Sequence, residues 1–188
     1  MNILTPGRNI VLIGLMGSGK TTVGRILAVR LQREFYDTDE MVERETGQTV
    51  SEIFAVEGQR RFRALESEAI RAVAALRGRV IAVGGGAVTV PANVTHLRAT
   101  GDLVWLDADP AELAARCAAE GVELRPLLAG GDPAERIAAL RTARHADYVA
   151  AAAHRIDTGG MTPEEVADAV LEWARHQPGL LTREEREA

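Results

Sequence analysis

The segment Gly14-Leu15-Met16-Gly17-Ser18-Gly19-Lys20-Thr21 constrains this chain more than any other. It fits G-x-x-x-x-G-K-[ST] at every fixed position, and it is framed by the two elements which that pattern requires. Before it runs Asn9-Ile10-Val11-Leu12-Ile13, a short apolar stretch of the kind buried on both faces of a parallel sheet. After it, Val23, Ile26, Leu27 and Leu31 recur at helical spacing. A strand that passes through a glycine turn into a helix aims the positive helix end, and a row of backbone amides, at whatever sits over the turn. Phosphate is the natural occupant. Lys20 sharpens the point, because it is the only lysine and the other 21 of the 22 basic residues are arginine. A compact ammonium on a flexible stem reaches between two phosphates where a planar guanidinium is too broad.

The remaining chain alternates strand-like and helical segments, the pattern of a parallel sheet covered by helices. Glu34-Phe35-Tyr36, Arg79 to Val83, Asp102 to Leu106 and His154 to Asp157 read as further strands, and Gly58 to Leu76, Pro110 to Ala119, Pro133 to Ala153 and Pro163 to Arg175 as helices. This predicts an α/β, three-layer α/β/α fold. One domain over 1–176 fits the length of 188 residues, and the charged segment 177–188 is expected to be a flexible tail.

Composition excludes several partners. A net charge of -5 speaks against nonspecific binding to nucleic acid or to a membrane surface. No apolar run reaches the length of a membrane helix, and Met1 to Arg8 lacks the apolar core of a signal peptide. Cys117 is the only cysteine, so no internal disulfide can form and a reducing cytoplasm is the expected setting.

Chemistry beyond the phosphate loop is suggested by three clusters. Asp37-Thr38-Asp39 follows the second strand; on an extended segment its two carboxylates would project to one side, whereas a turn with a helix cap would leave them solvated. Gly58-Gln59-Arg60-Arg61-Phe62-Arg63 opens a charged helix. Gly84-Gly85-Gly86 ends the third strand, at the sheet edge where ligands of open α/β folds bind.

Taken in order, these segments resemble shikimate kinase. The resemblance runs from Ile10 to Arg175 and rests on the loop at 14–21, Asp37-Thr38-Asp39, Ile53-Phe54 before Gly58, Phe62-Arg63 with Glu66, Gly84-Gly85-Gly86-Ala87, Arg125-Pro126-Leu127-Leu128, and Arg144 with Tyr148. It departs from the family pattern at Gln59, at Ala146 and in the spacing between Arg116 and Arg125. It implies a nucleoside-monophosphate-kinase-like fold with a five-stranded parallel sheet in the order 2-3-1-4-5, a substrate-binding helical segment at about 38–66 and a lid at about 116–132. The implied reaction transfers phosphate from ATP to the 3-hydroxyl of shikimate, with Mg²⁺ as cofactor, in a monomer. Lys20, Asp39 and Arg125 are the implied catalytic residues. ATP would be held by Gly17, Ser18, Gly19, Lys20, Thr21, Thr22, Arg116, Arg125 and Arg155. Shikimate would lie among Asp39, Phe54, Phe62, Arg63, Glu66, Gly84, Gly85, Gly86 and Arg144, with the metal at Thr21 and, through water, Asp37. The alternatives are a kinase of another carboxylated polyol, such as a modified shikimate or gluconate, and a binding module without catalysis.

The contrast between one ammonium and many guanidinium groups is testable. Lys20→Arg keeps the charge and is expected to lower phosphoryl transfer at least 100-fold (an order-of-magnitude figure for removing one fitted charge from a developing anion), measured as ADP release. Retained activity would make Lys20 an accident of composition.

Overall fold

A computed structural model describes residues 7–120 and 131–187. Five strands form one parallel sheet: β1 (Asn9–Ile13), β2 (Phe35–Asp37), β3 (Val80–Ala82), β4 (Gly101–Asp107) and β5 (His154–Asp157). Their order is β2-β3-β1-β4-β5, as the resemblance implied. Every residue of β1 is buried, and the strand pairs with β3 on one side and β4 on the other. This is where a wholly apolar run has to sit.

Strand alternation divides β1 between two cores. Ile10 and Leu12 pack with Val23, Leu27 and Leu31 of α1 (Lys20–Leu31) and with Val166 and Val170 of the helix Pro163–Arg175. Val11 and Ile13 face Ile70 and Val73 on the opposite side, together with Trp105, Ile137 and Tyr148. A third, smaller cluster of Val42, Ile53, Phe62, Leu65 and Ala69 joins α2 (Thr38–Thr46), α3 (Val50–Val56) and α4 (Gly58–Ala74) beside the sheet edge. The other helices are α5 (Pro91–Thr100), α6 (Pro110–Glu120), α7 (Pro133–Ala151), α8 (Pro163–Arg175) and α9 (Arg183–Glu187).

Two local expectations change. Thr38 already belongs to a helix: Asp37, the last residue of β2, is the N-cap of α2, and its side chain accepts from the Asp39 amide at 3.0 Å. A short acceptor side chain just before a helical run satisfies one of its unpaired amides, which is stronger than any tendency of this segment to stay extended. The segment 177–187, expected to fray, is docked. Leu180 and Leu181 are buried in the α1/α8 core. The Arg33 guanidinium donates to the Leu180 carbonyl at 2.8 Å and to both Glu185 oxygens at 2.6 and 2.7 Å. Two apolar residues set in a polar segment were enough to anchor it.

Leu180→Ala should therefore lower stability by about 2–4 kcal/mol, as for other fully buried leucines. Urea unfolding of the variant measures this; an unchanged midpoint would mean the segment contributes nothing.

Candidate active site

Parallel pairing brings the carboxyl ends of β1, β2 and β3 side by side, so the turns that leave them form one surface. The turn after β1 carries the phosphate loop. Gly17 has φ +74°, and a Cβ there would fall 2.5 Å from the Leu113 carbonyl oxygen and 2.9 Å from Cys117 Sγ, so this position needs glycine for its conformation and for its contact with α6. Lys20 opens α1 and donates to the Leu15 carbonyl at 2.8 Å and to the buried Ser18 hydroxyl at 3.2 Å. The Thr21 hydroxyl donates to Asp37 Oδ2 at 2.7 Å. A hydroxyl and a carboxylate thus meet at the loop, and both are the oxygen ligands that a hard divalent cation takes. Among the described residues no group of three or more His, Cys, Asp or Glu side chains is placed to hold a metal unaided. A metal at Thr21 and Asp37 would share its remaining sites with phosphate oxygens and water.

A cavity of about 530 Å³ opens over this edge. Gly17, Gly19, Lys20, Thr21, Thr22, Asp37, Asp39, Phe54, Phe62, Arg63, Gly84, Gly85, Gly86 and Arg144 line it, so most of the residues expected for both substrates share one space. Met16, Glu40, Glu43, Val50 and Val83 complete the wall; sequence alone did not pick them out. Of these, Val50 and Glu43 could have been found from the capping box at Thr49 and Glu52, which starts α3 at this wall, and Glu43 Oε1 accepts from the Val50 amide. Phe54 and Phe62 lie with ring centroids 4.9 Å apart and form an apolar flank.

The charged groups in and behind this cavity are buried or half-buried. Glu66 is fully inaccessible and pairs with Arg63, whose guanidinium also lies over the Phe62 ring at 5.1 Å. Burial pushes the Glu66 carboxyl up, against the pull of Arg63. Burial also lowers the pKa of the Arg144 guanidinium. Asp39 is pushed up to about 7, first by its burial and then by the carboxylates of Glu66 and Asp37, with Lys20 and Arg63 opposing. Asp39 Oδ1 and Glu66 Oε1 are buried without a hydrogen-bond partner. Both flank Gly84, where a Cβ would overlap Glu66 Oε1 and lie 2.8 Å from Asp39 Oδ1. Only glycine fits between two carboxyl groups held this way.

A second hollow of about 330 Å³ adjoins the first across Gly17, Gly19 and Thr22, and continues to Arg116, Ala119, Met161, Pro163 and Val166. Arg116 is placed there by Glu112 at 2.6 Å and by the Thr158 carbonyl at 2.8 Å. Arg155 is not. Ile156 faces the α1/α8 core, so alternation along β5 turns Arg155 to the opposite face, where it lies over Trp105 at 5.0 Å and pairs with Asp107 at 2.8 Å. From the 155–158 segment it is Thr158 that reaches the hollow's wall, by holding Arg116. Met161, in the turn after β5, and Pro163, at the start of α8, were not picked out from the sequence; their place beyond the carboxyl end of β5 is the signal that could have found them. Arg125 and most of the expected lid lie outside the described residues.

Burial of Asp39 has a consequence for stability. An unfolded chain ionises this carboxyl near 3.8 whereas the folded protein keeps its proton to about 7, so folding grows less favourable as pH rises between these values and bears the full penalty above pH 7. Asp39→Asn removes the charge and offers an amide donor to the unpaired Glu66 oxygen across Gly84. In the absence of ligands it should be more stable than the parent at pH 8, by up to about 4 kcal/mol, with the gain vanishing near pH 4. Urea titrations at the two pH values measure the difference; an equal offset at both would remove the electrostatic explanation.

Among the known proteins that this chain resembles are shikimate kinases. The family model described as Shikimate kinase matches residues 16–175. The chain is 49% identical over 164 residues to the shikimate kinase of Symbiobacterium thermophilum, covering 87% of this chain and 94% of that protein. It is 44% identical over 178 residues to that of Geobacter sulfurreducens, covering 94% and 97%. Its fold matches the solved shikimate kinase of Acinetobacter baumannii in complex with shikimate, at a TM-score of 0.84 and 36% identity over 88% of this chain and 92% of that one. Matched by the family model over most of its length and nearly half identical to such relatives, the chain belongs to the shikimate kinase family.

Proposed function

We infer that the chain catalyses ATP-dependent phosphorylation of shikimate on its 3-hydroxyl, giving shikimate 3-phosphate and ADP. The observation that carries this reading is the convergence of a phosphate loop, two arginines and a buried carboxylate on one cavity. Shikimate is a ring with one carboxylate and three hydroxyls. Arg63 and Arg144 supply guanidinium groups for the carboxylate, a pairing whose bidentate geometry lysine cannot reproduce. Phe54 and Phe62 flank the ring, and Gly84, Gly85 and Gly86 let backbone approach it. Glu66 orients Arg63. Another carboxylated polyol is not favoured, since the relatives are shikimate kinases and one of them was solved with shikimate.

Asp39 is assigned the proton. As the 3-hydroxyl oxygen bonds to the γ-phosphorus and the bond to the β-phosphate oxygen breaks, the hydroxyl proton passes to Asp39 and the new charge stays on ADP. A carboxylate whose pKa is raised to about 7 is a better proton acceptor than an ordinary one. Lys20 and the amides of the loop, including Gly17, Ser18, Gly19 and Thr22, hold the β and γ phosphates. Arg116 borders the base, and Arg125, by its place in the family pattern, reaches the transferring phosphate from a lid at about 116–132. Mg²⁺, held by Thr21 and through water by Asp37, would neutralise the phosphate oxygens. Their 2.7 Å contact supports the fit. Residues 38–66 form the acceptor side of a single domain, to which the docked segment 177–187 also belongs. Among the described residues no helix is long and apolar enough to cross a membrane. A monomer in the cytoplasm, binding neither nucleic acid nor membrane, completes the proposal.

A coupled ADP-release assay with shikimate, quinate and gluconate tests the reading. Shikimate should stimulate ADP release well above the ATP-only background, and absence of stimulation would sink it. In the same assay Asp39→Asn should lose about 100- to 10,000-fold in kcat, the range for removing a general base, while nucleotide affinity survives.

A further inference from the structure

The glycine turn after β3 has its polar groups sorted by direction. The Gly84 carbonyl accepts from the Ala87 amide at 2.9 Å, and the Gly86 carbonyl accepts from the Thr89 amide and hydroxyl at 3.1 and 2.8 Å. The Gly84 amide donates to Thr38 Oγ1 at 3.1 Å. The Gly85 carbonyl takes two donors, the Tyr148 hydroxyl at 2.7 Å and Arg144 Nη1 at 3.0 Å. Among the described residues the amides of Gly85 and Gly86 have no acceptor, although both residues line the cavity.

The peptide between Gly85 and Gly86 is planar and trans, so its carbonyl and its N–H point in opposite directions. Whatever pins the Gly85 carbonyl also aims the Gly86 amide. Nothing local does this, because the two dihedrals around the bond belong to glycines and are the least restricted in any chain. Arg144 is a poor pin by itself, since it is also part of the cavity wall and faces the ligand. Tyr148 has no such second duty. Its ring is buried and stacked on Trp105, centroids 5.2 Å apart and 12° from parallel, so the hydroxyl is held in place. Burial also drives its pKa upward, so it remains a donor at any working pH.

We propose that Tyr148 is a positioning residue for the phosphoryl acceptor: by holding the Gly85 carbonyl it turns the Gly86 N–H into the cavity, where that amide donates to an oxygen of the bound acceptor. Tyr148 itself does not line the cavity and acts through the glycine peptide. The inference rests on the acceptor site described above.

Tyr148→Phe deletes the hydroxyl and keeps the ring stack. The released peptide then samples a second orientation, and only the fraction with the amide inward binds the acceptor. KM for shikimate should rise about fivefold, the effect of one neutral hydrogen bond, while kcat at saturation and KM for ATP stay within about twofold. A variant with a lower urea midpoint and no selective change in KM for shikimate would mean that the hydroxyl only supports the fold, which overturns the proposal. If the parent protein turns over no shikimate, the functional reading has failed separately, and NMR decides this one. Relaxation dispersion at the Gly85 and Gly86 amides should appear in Tyr148→Phe and be absent from the parent; identical profiles overturn it.

Discussion

The parallel pairing of β1 with β3 and β4 is the constraint on which the site depends. Burial of all five residues of β1 leaves the strand no freedom to slip, since a one-residue shift would exchange Ile10 and Leu12 with Val11 and Ile13 between two different cores. With β1 fixed, the phosphate loop emerges level with the glycine turn after β3, and a Cβ on Gly85 would fall 3.3 Å from the Gly14 carbonyl oxygen. The third ladder, β3 with β2, brings Asp37 beside Ala82 and so sets the start of α2 and the place of Asp39. Donor and acceptor sites thus inherit their spacing from strand register. No loop has to find it.

Against that rigid edge, the charges of the acceptor side are held in a state that folding alone would not choose. Asp39 and Glu66 crowd one glycine with an unpaired oxygen each, and Arg63 answers only part of their charge. Buried carboxylates without full pairing destabilise a fold. They persist where a ligand needs an acceptor that water has not already satisfied, and a cavity containing Arg63, Arg144 and Asp39 matches a ligand carrying both carboxylate and hydroxyl groups. Stability is given up where binding is gained.

Much of this was legible in the sequence, for identifiable reasons. Three of the five strands stood out because apolar runs at 9–13, 79–83 and 102–106 are too short and too continuous for amphipathic helices, β2 and β5 left a fainter trace, and the helix after the phosphate loop showed its period in Val23, Leu27 and Leu31. α5 was not anticipated: within it only Asn93 and Leu97 are buried, too few to make a period, although Pro91 at its first turn was a usable start signal. The helix start at Asp37 was left open because an acidic pair reads equally as strand end or helix start until its partners are known. Arg155 was assigned to the nucleotide by its loop, whereas its direction depends on which face of β5 is covered, a fact that local sequence does not carry. The role of Tyr148 needed the Gly85 carbonyl, 63 positions away in the chain.

The docked segment at 180–181 bears on how the chain reaches this structure. The core on the α1/α8 face draws on Ile10 and Leu12, on Val23 to Leu31, on Val104 and Leu106, and finally on Val166 to Leu181. During synthesis the early members of that set leave the ribosome long before the last. The opposite face can assemble β1, β3 and β4 with α4 and α7 from residues 11–151, but the α1 face stays partly open to solvent until residue 181 has emerged. For that interval Ile10, Leu12 and Leu27 present an apolar surface that a chaperone or another nascent chain can meet, so the order of translation leaves this side of the sheet as the last to be sealed.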